Sequence, residues 1–195
     1  DPVRHIVALL GSKDGIAHLP WAVTNPGDLV LVPDPAYPVY NIGAILAGCR
    51  VQKLPVSRET GWKPRADAMV DGAKLLWVNY PSNPTAATAD VRFYESMLEW
   101  AAPRGTIVAS DLAYSELYFE EKPASLWQAG NADIETTKAI EFHSLSKTFN
   151  MTGWRIGFAV GHAGVAGALQ DIKSNVDSGT FNAIQAAGAL ALKRY

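Results

Sequence analysis

The residue with the clearest chemical capability is Lys147, in the stretch Ser144-Leu145-Ser146-Lys147-Thr148-Phe149-Asn150-Met151-Thr152-Gly153-Trp154-Arg155. An amine held among the apolar side chains of Leu145, Phe149, Met151 and Trp154 would lose its proton more readily and become a nucleophile for carbonyls. Two hydroxyls, Ser144 and Ser146, precede it, and Arg155 stands eight residues on. A hydroxyl beside a fixed guanidinium suits a phosphate dianion. Other polar residues fall just after strand-like runs: Ser12 and Lys13, Asp34 and Tyr37, Tyr80 and Asn83, Asp111 and Tyr114. Ligands of open α/β sheets bind beyond the carboxyl ends of the strands, so these positions converge on one site. Taken singly, each also has a plain structural reading. Asp111 fits a turn aspartate, Asn83 an Asx turn before Pro84, and Tyr114 a half-buried core tyrosine. Tyr37 fits packing among prolines, and Gly11-Ser12-Lys13 an ordinary helix start.

The elements that must position these residues alternate along the chain. Strand-like runs fall at 5–10, 28–32, 50–56, 74–79, 106–110, 138–143 and 155–160. Helical stretches fall at 13–23, 39–47, 64–70, 163–173 and from 180 onward. Another follows Thr88 as N-cap, with Val91, Tyr94, Leu98 and Ala101 at helical spacing. Proline stiffens two loops, 33–38 and 80–85. The alternation predicts a three-layer α/β/α domain around a mostly parallel sheet of about seven strands. A chain of 195 residues makes one large domain, or one plus a fragment. The stretch from Thr180 is apolar on nearly every face, the pattern of a helix buried on several sides. With the Asp-Pro start, it suggests a piece of a longer chain whose packing partners are elsewhere.

Composition narrows the classes. Lys and Arg number 17 against 19 Asp and Glu, a net charge of −2, so there is no basic face for nucleic acid. Apolar residues at 48% and charged residues at 18% exclude a disordered chain. One cysteine, Cys49, and four histidines leave neither a disulfide framework nor a Cys/His metal cluster. His143 reads as a packed core histidine. No apolar run approaches the ~18 residues of a membrane span, and no signal-peptide pattern is present. The expected setting is cytoplasmic.

Five motifs occur in order over residues 11–157: Gly11-Ser12-Lys13-Asp14-Gly15, Asp34-Pro35-Ala36-Tyr37-Pro38, Asn83-Pro84-Thr85, Asp111-Leu112-Ala113-Tyr114, and Ser144-Leu145-Ser146-Lys147 with Arg155. Together they resemble the fold-type I, pyridoxal-phosphate-dependent aminotransferases of class I and II. The resemblance implies pyridoxal 5′-phosphate as cofactor, with Lys147 bonded to it and then moving a proton between the substrate Cα and the cofactor. It implies Asp111 on the pyridine nitrogen, and Asn83 and Tyr114 on the ring oxygen. Tyr37 would stack on the ring, with Tyr40 a secondary candidate. Ser12, Lys13, Ser144, Ser146 and Arg155 would hold the phosphate.

The implied substrates are an amino acid and a 2-oxo acid, and the full-length protein would be a homodimer. The wording of residues 141–155 is nearest to the aminotransferases that act on LL-diaminopimelate, with those for aspartate and alanine beside it. Lyases and synthases of the same fold share these motifs. Two departures stand out. Ala86 replaces the glycine usual after Asn-Pro-Thr. The family's N-terminal segment and its C-terminal small domain, which carries the arginine for the substrate α-carboxylate, have no counterpart in residues 1–195. Those residues are expected to be the cofactor-binding large domain, transaminating weakly or not at all alone. The alternative expectation is a non-catalytic cofactor-binding or assembly module.

Overall fold

Short apolar runs alternating with amphipathic stretches become layers in the computed structural model, which describes residues 1–194. In chain order the elements are α1 (Pro2–His5), β1 (Ile6–Leu9), α2 (Ser12–Val23), β2 (Leu29–Asp34), α3 (Val39–Leu46), β3 (Arg50–Pro55) and β4 (Ala73–Val78). There follow α4 (Val91–Ala101), β5 (Ile107–Asp111), β6 (Ala139–Ser144), α5 (Leu145–Thr148), β7 (Gly157–Gly161), α6 (Ala163–Val176) and α7 (Asn182–Arg194). The seven strands form one sheet in the order β1-β7-β6-β5-β4-β2-β3. All neighbours pair in parallel except β7, which is antiparallel to both β1 and β6. The expected three-layer architecture with a mostly parallel sheet is present. Because β7 runs the other way, its start lies at the carboxyl ends of the remaining strands. Arg155, just before a strand, therefore joins residues that follow strands.

Helices cover both faces, which is why β4 is buried at every position but Lys74. On one face α2, α3 and α6 pack around Ile16, Leu19, Tyr40, Trp77 and Leu169. On the other, α4 brings Phe93, Tyr94, Met97, Leu98 and Ala101 down at helical spacing onto Leu76, Val78 and Val108.

Four expectations need correction. Residues 2–5 form the short helix α1, capped by the Asp1 carboxylate, so the first strand is shorter than expected. Residues 64–70 contain only a 3₁₀ turn, Ala66–Ala68. The N-cap of α4 is Asp90, not Thr88: its carboxylate accepts from Phe93 N–H at 2.9 Å, and a charged acceptor at a helix start gains from the dipole as well. The last strand starts at Gly157, because residues 152–154 turn as a 3₁₀ helix and Arg155 is left-handed at φ 53°.

The last helix is present but not enclosed. Among its described residues only Gly188 is buried, and Leu190 and Leu192 are half exposed. Ile184 and Ala191 pack against Leu145, Met151 and Ile156. Tyr195, where the expected helix ended, lies outside the described residues.

Candidate active site

One cleft of about 380 Å³ is lined by Ser12, Lys13, Tyr37, Asn83, Asp111, Tyr114, Ser144, Ser146, Lys147 and Arg155, whereas two other positions expected to converge there do not: Asp34 pairs with Lys53, and Tyr80 is buried in the core with its hydroxyl on Trp62 O. Ala113 and Thr152 complete the lining. Each follows or precedes a strand at the edge where the parallel strands end.

Asp111, the last residue of β5, carries the strongest electrostatic signature. Its Oδ2 accepts the Tyr40 hydroxyl at 2.7 Å, while its Oδ1 is buried with no partner. Burial pushes this carboxyl up to about 6, against the opposing pull of the Tyr40 hydroxyl and the Ala113 N–H. An unpaired buried acceptor is costly, and a cationic N–H donor in the cleft is the group that would relieve it.

Tyr40 has a different place from the one expected. It is fully buried, stacked on Trp77 at 4.8 Å and edge-on to Tyr37 at 5.8 Å. It is not a ring surface for a ligand; its hydroxyl fixes Asp111. Tyr37, half-buried beside it, remains on the cleft with Lys13 Nζ 5.6 Å from its ring centroid. Asn79 was also not foreseen. Its amide donates to Asp111 O at 2.7 Å and its Oδ1 accepts Asn83 N–H at 2.7 Å, tying the Asn83 loop to the end of β5. Its signal in the sequence is slight: a polar residue closing an apolar strand. The Tyr114 hydroxyl has its pKa raised by partial burial and by the Asp111 charge, against a smaller opposing effect of the Asn83 side chain.

The opposite end of the cleft is built for an anion. Helix α2 starts after Gly11, at φ +81°, with no side chain capping its first turn; Asp14 N–H is taken by Gly11 O, while the Ser12 and Lys13 N–H groups have no partner among the described residues. Arg155 crosses this turn, donating from Nη2 to Leu10 O at 3.2 Å and from Nη1 to Thr152 O at 3.0 Å. A Cβ at Gly11 would press on the Arg155 guanidinium, the movable end of a long side chain, so it is the φ of +81° that calls for glycine here. The Ser144 hydroxyl accepts Ser146 N–H at 3.3 Å.

Lys147 differs from expectation in its surroundings. It is exposed, and among the described residues it has neither a hydrogen bond nor an ion pair. The apolar neighbours meant to desolvate it turn away: Leu145 and Met151 pack with Ile156, and Trp154 is half exposed. On the single turn of α5, Leu145 and Lys147 are two residues apart and face opposite sides. His143 lies outside the cleft, partly buried, stacked on Phe158 at 4.7 Å with Nε2 at 3.1 Å from Glu141.

Ala86 carries the consequence of replacing glycine. It takes φ +58°, inside a loop closed by Ala86 N–H to Ser82 O at 2.8 Å and Ser82 N–H to Ala87 O at 2.9 Å. The loop keeps its left-handed turn and alanine bears the strain. Ala86→Gly is expected to stabilise the fold by about 1 kcal/mol, raising Tm by roughly 2–4 °C in a thermal melt.

A family model, aminotransferase class I and II, matches residues 1–194. The chain belongs to the class I and II aminotransferases. Among curated aminotransferases, the LL-diaminopimelate aminotransferase of Aquifex aeolicus is 51% identical over 98% of this chain and 50% of its own length. That of Maridesulfovibrio salexigens is 49% identical over 99% of this chain and 50% of its own. Among solved structures, an aminotransferase from Staphylococcus aureus superposes with TM-score 0.94 at 34% identity, covering 100% of this chain and 52% of that one. A probable N-succinyldiaminopimelate aminotransferase from Thermus thermophilus gives TM-score 0.92 at 34% identity, covering 99% of this chain and 52% of that one. This aminotransferase chain thus spans about half the length of the curated relatives it matches. No helix among its described residues is long and apolar enough to cross a membrane.

Proposed function

We propose that residues 1–195 form the cofactor-binding large domain of a pyridoxal-phosphate-dependent aminotransferase whose amino donor is LL-diaminopimelate. The observation that carries the cofactor assignment is the buried, unpaired Asp111 Oδ1 in a cleft that also holds an anion-binding turn and a free amine. A ring with a cationic N–H, a phosphate ester and an aldehyde satisfies all three. Bound pyridoxal 5′-phosphate supplies a carbonyl for amine exchange and a ring that takes up electron density released at the substrate Cα.

The chain's own residues do the rest. Asp111 Oδ1 accepts the ring N–H and, ionised, keeps that proton in place. Tyr40 holds the carboxylate on its other oxygen. Asn83 and Tyr114, both on the cleft, would hold the ring oxygen, and Tyr37 would pack on the ring face. The first-turn N–H groups at Ser12 and Lys13, the hydroxyls of Ser144 and Ser146, and Arg155 hold the phosphate. Lys147 Nζ is the point of covalent attachment. Its freedom from partners suits an amine that must then take the proton from the substrate Cα and return it elsewhere. No residue in the cleft is assigned to the substrate α-carboxylate, so the rest of the full-length protein is proposed to supply that clamp and, by family resemblance, a second subunit.

The donor assignment rests on the names of the relatives. It is tested with the full-length protein by offering LL-diaminopimelate, aspartate, alanine and glutamate with a 2-oxo acid acceptor. Amino transfer fastest from LL-diaminopimelate is expected. Transfer from another donor alone would move the substrate assignment. Elimination products without transfer would make the protein a lyase of the same fold, and no turnover at all would leave a binding module.

A further inference from the structure

Among the described residues Lys173 is the one lysine or arginine in the buried polar set, at 2% exposure, and nothing in the proposed chemistry uses it. It sits in the last turn of α6, which packs on α2. Its Nζ donates at 2.5 Å to Oδ2 of Asp14 and at 2.5 Å to Oδ2 of Asp177. Asp14 is the one acidic residue in the first turn of α2. Its Oδ2 also accepts Leu10 N–H at 3.0 Å, its Oδ1 lies 2.9 Å from His18 Nδ1, and its own N–H donates to Gly11 O at 3.1 Å. Asp14 therefore grips the chain on both sides of Gly11. Leu10 is held from two directions, by Asp14 on its N–H and by Arg155 on its carbonyl.

We propose that Lys173 is a positioning residue for the anion-binding turn. Through Asp14 it fixes Leu10–Gly11 at the start of α2. Asp177 completes the ion cluster without touching the turn, which separates the two roles of Lys173: holding α6 to its own end, and holding the turn.

The inference rests on the proposed reading of the cleft, and the test distinguishes the two. In the full-length protein freed of cofactor, dissociation constants are measured for pyridoxal 5′-phosphate, for pyridoxal, and for inorganic phosphate by competition. Asp14→Ala and Lys173→Met are expected to weaken pyridoxal 5′-phosphate and inorganic phosphate by about tenfold or more, the scale of one charge-assisted hydrogen bond, and to leave pyridoxal unchanged. Asp177→Asn is expected to change none of the three. Asp14→Ala leaves Lys173 paired with Asp177, so it decides the matter even if Lys173→Met does not fold. Equal losses for pyridoxal and its phosphate, or no loss in Asp14→Ala, would reduce the cluster to a structural ion pair and overturn the inference alone. A parent protein that binds neither phosphate compound would overturn the reading of the cleft, and the inference with it.

Discussion

Lys147→Ala in the full-length protein is expected to lower amino transfer by at least about 10⁴-fold, the scale of losing both a covalent attachment point and a general base. The phosphate turn, Arg155, Tyr37 and Asp111 are untouched by that change, so the cofactor should still bind, without its covalent link. Lys147 has no structural partner to lose, and its removal should leave the melting temperature where it was. A variant that transfers amino groups near the parent rate, or one that simply unfolds, would remove Lys147 from the chemistry proposed for it. Only one other lysine, Lys13, lines the cleft, and its Nζ lies 5.6 Å from the Tyr37 ring centroid.

Asp111→Asn should cost roughly 10²- to 10³-fold in kcat, because an amide accepts a hydrogen bond but carries no charge to keep the ring nitrogen protonated as electron density moves into it. Cofactor affinity should fall much less, since phosphate and stacking contacts survive. The direction with pH follows from the raised carboxyl. Burial holds Asp111 neutral below about 6, and the ionised form is the one that attracts a cationic N–H. Cofactor affinity of the parent should therefore rise as pH increases through about 6 and level off above it, while Asp111→Asn stays flat across that range. Tyr40→Phe removes a donor that favours the ionised form, so its midpoint should move to higher pH. Parallel titrations of the three proteins check all of this; coincident profiles would mean that Asp111 does not face the ring nitrogen.

The sheet was readable because its strands are short apolar runs closed by polar or turn residues, as in β4 with Asn79 or β5 with Asp111. The cleft was readable for the same reason: apart from Arg155, which precedes β7, and Thr152, its lining residues end such a run or follow it within five positions. What the sequence concealed depends on distant partners. Tyr40 and Asp111 are 71 residues apart, and nothing local distinguishes a tyrosine that stacks on a ligand from one buried beneath it. Asp14 and Lys173 are 159 residues apart, and each alone looks like an ordinary helix charge. Thr88 and Asp90 are both N-cap residue types two positions apart, and only the emerging backbone selects one. The environment of Lys147 turned on which side of a single helical turn it fell, a question that an apolar count around it cannot answer. Ala86 was readable as an anomaly, and its positive φ explains why glycine is the usual occupant there.

The central claim is that this cleft holds pyridoxal 5′-phosphate by a covalent bond to Lys147. Borohydride reduction of the cofactor-loaded protein followed by peptide mapping tests it most directly. The expected result is a single pyridoxyl group, on the peptide containing Lys147. A label on Lys13 or on any lysine outside the cleft, or no label on a folded protein saturated with cofactor, would contradict it.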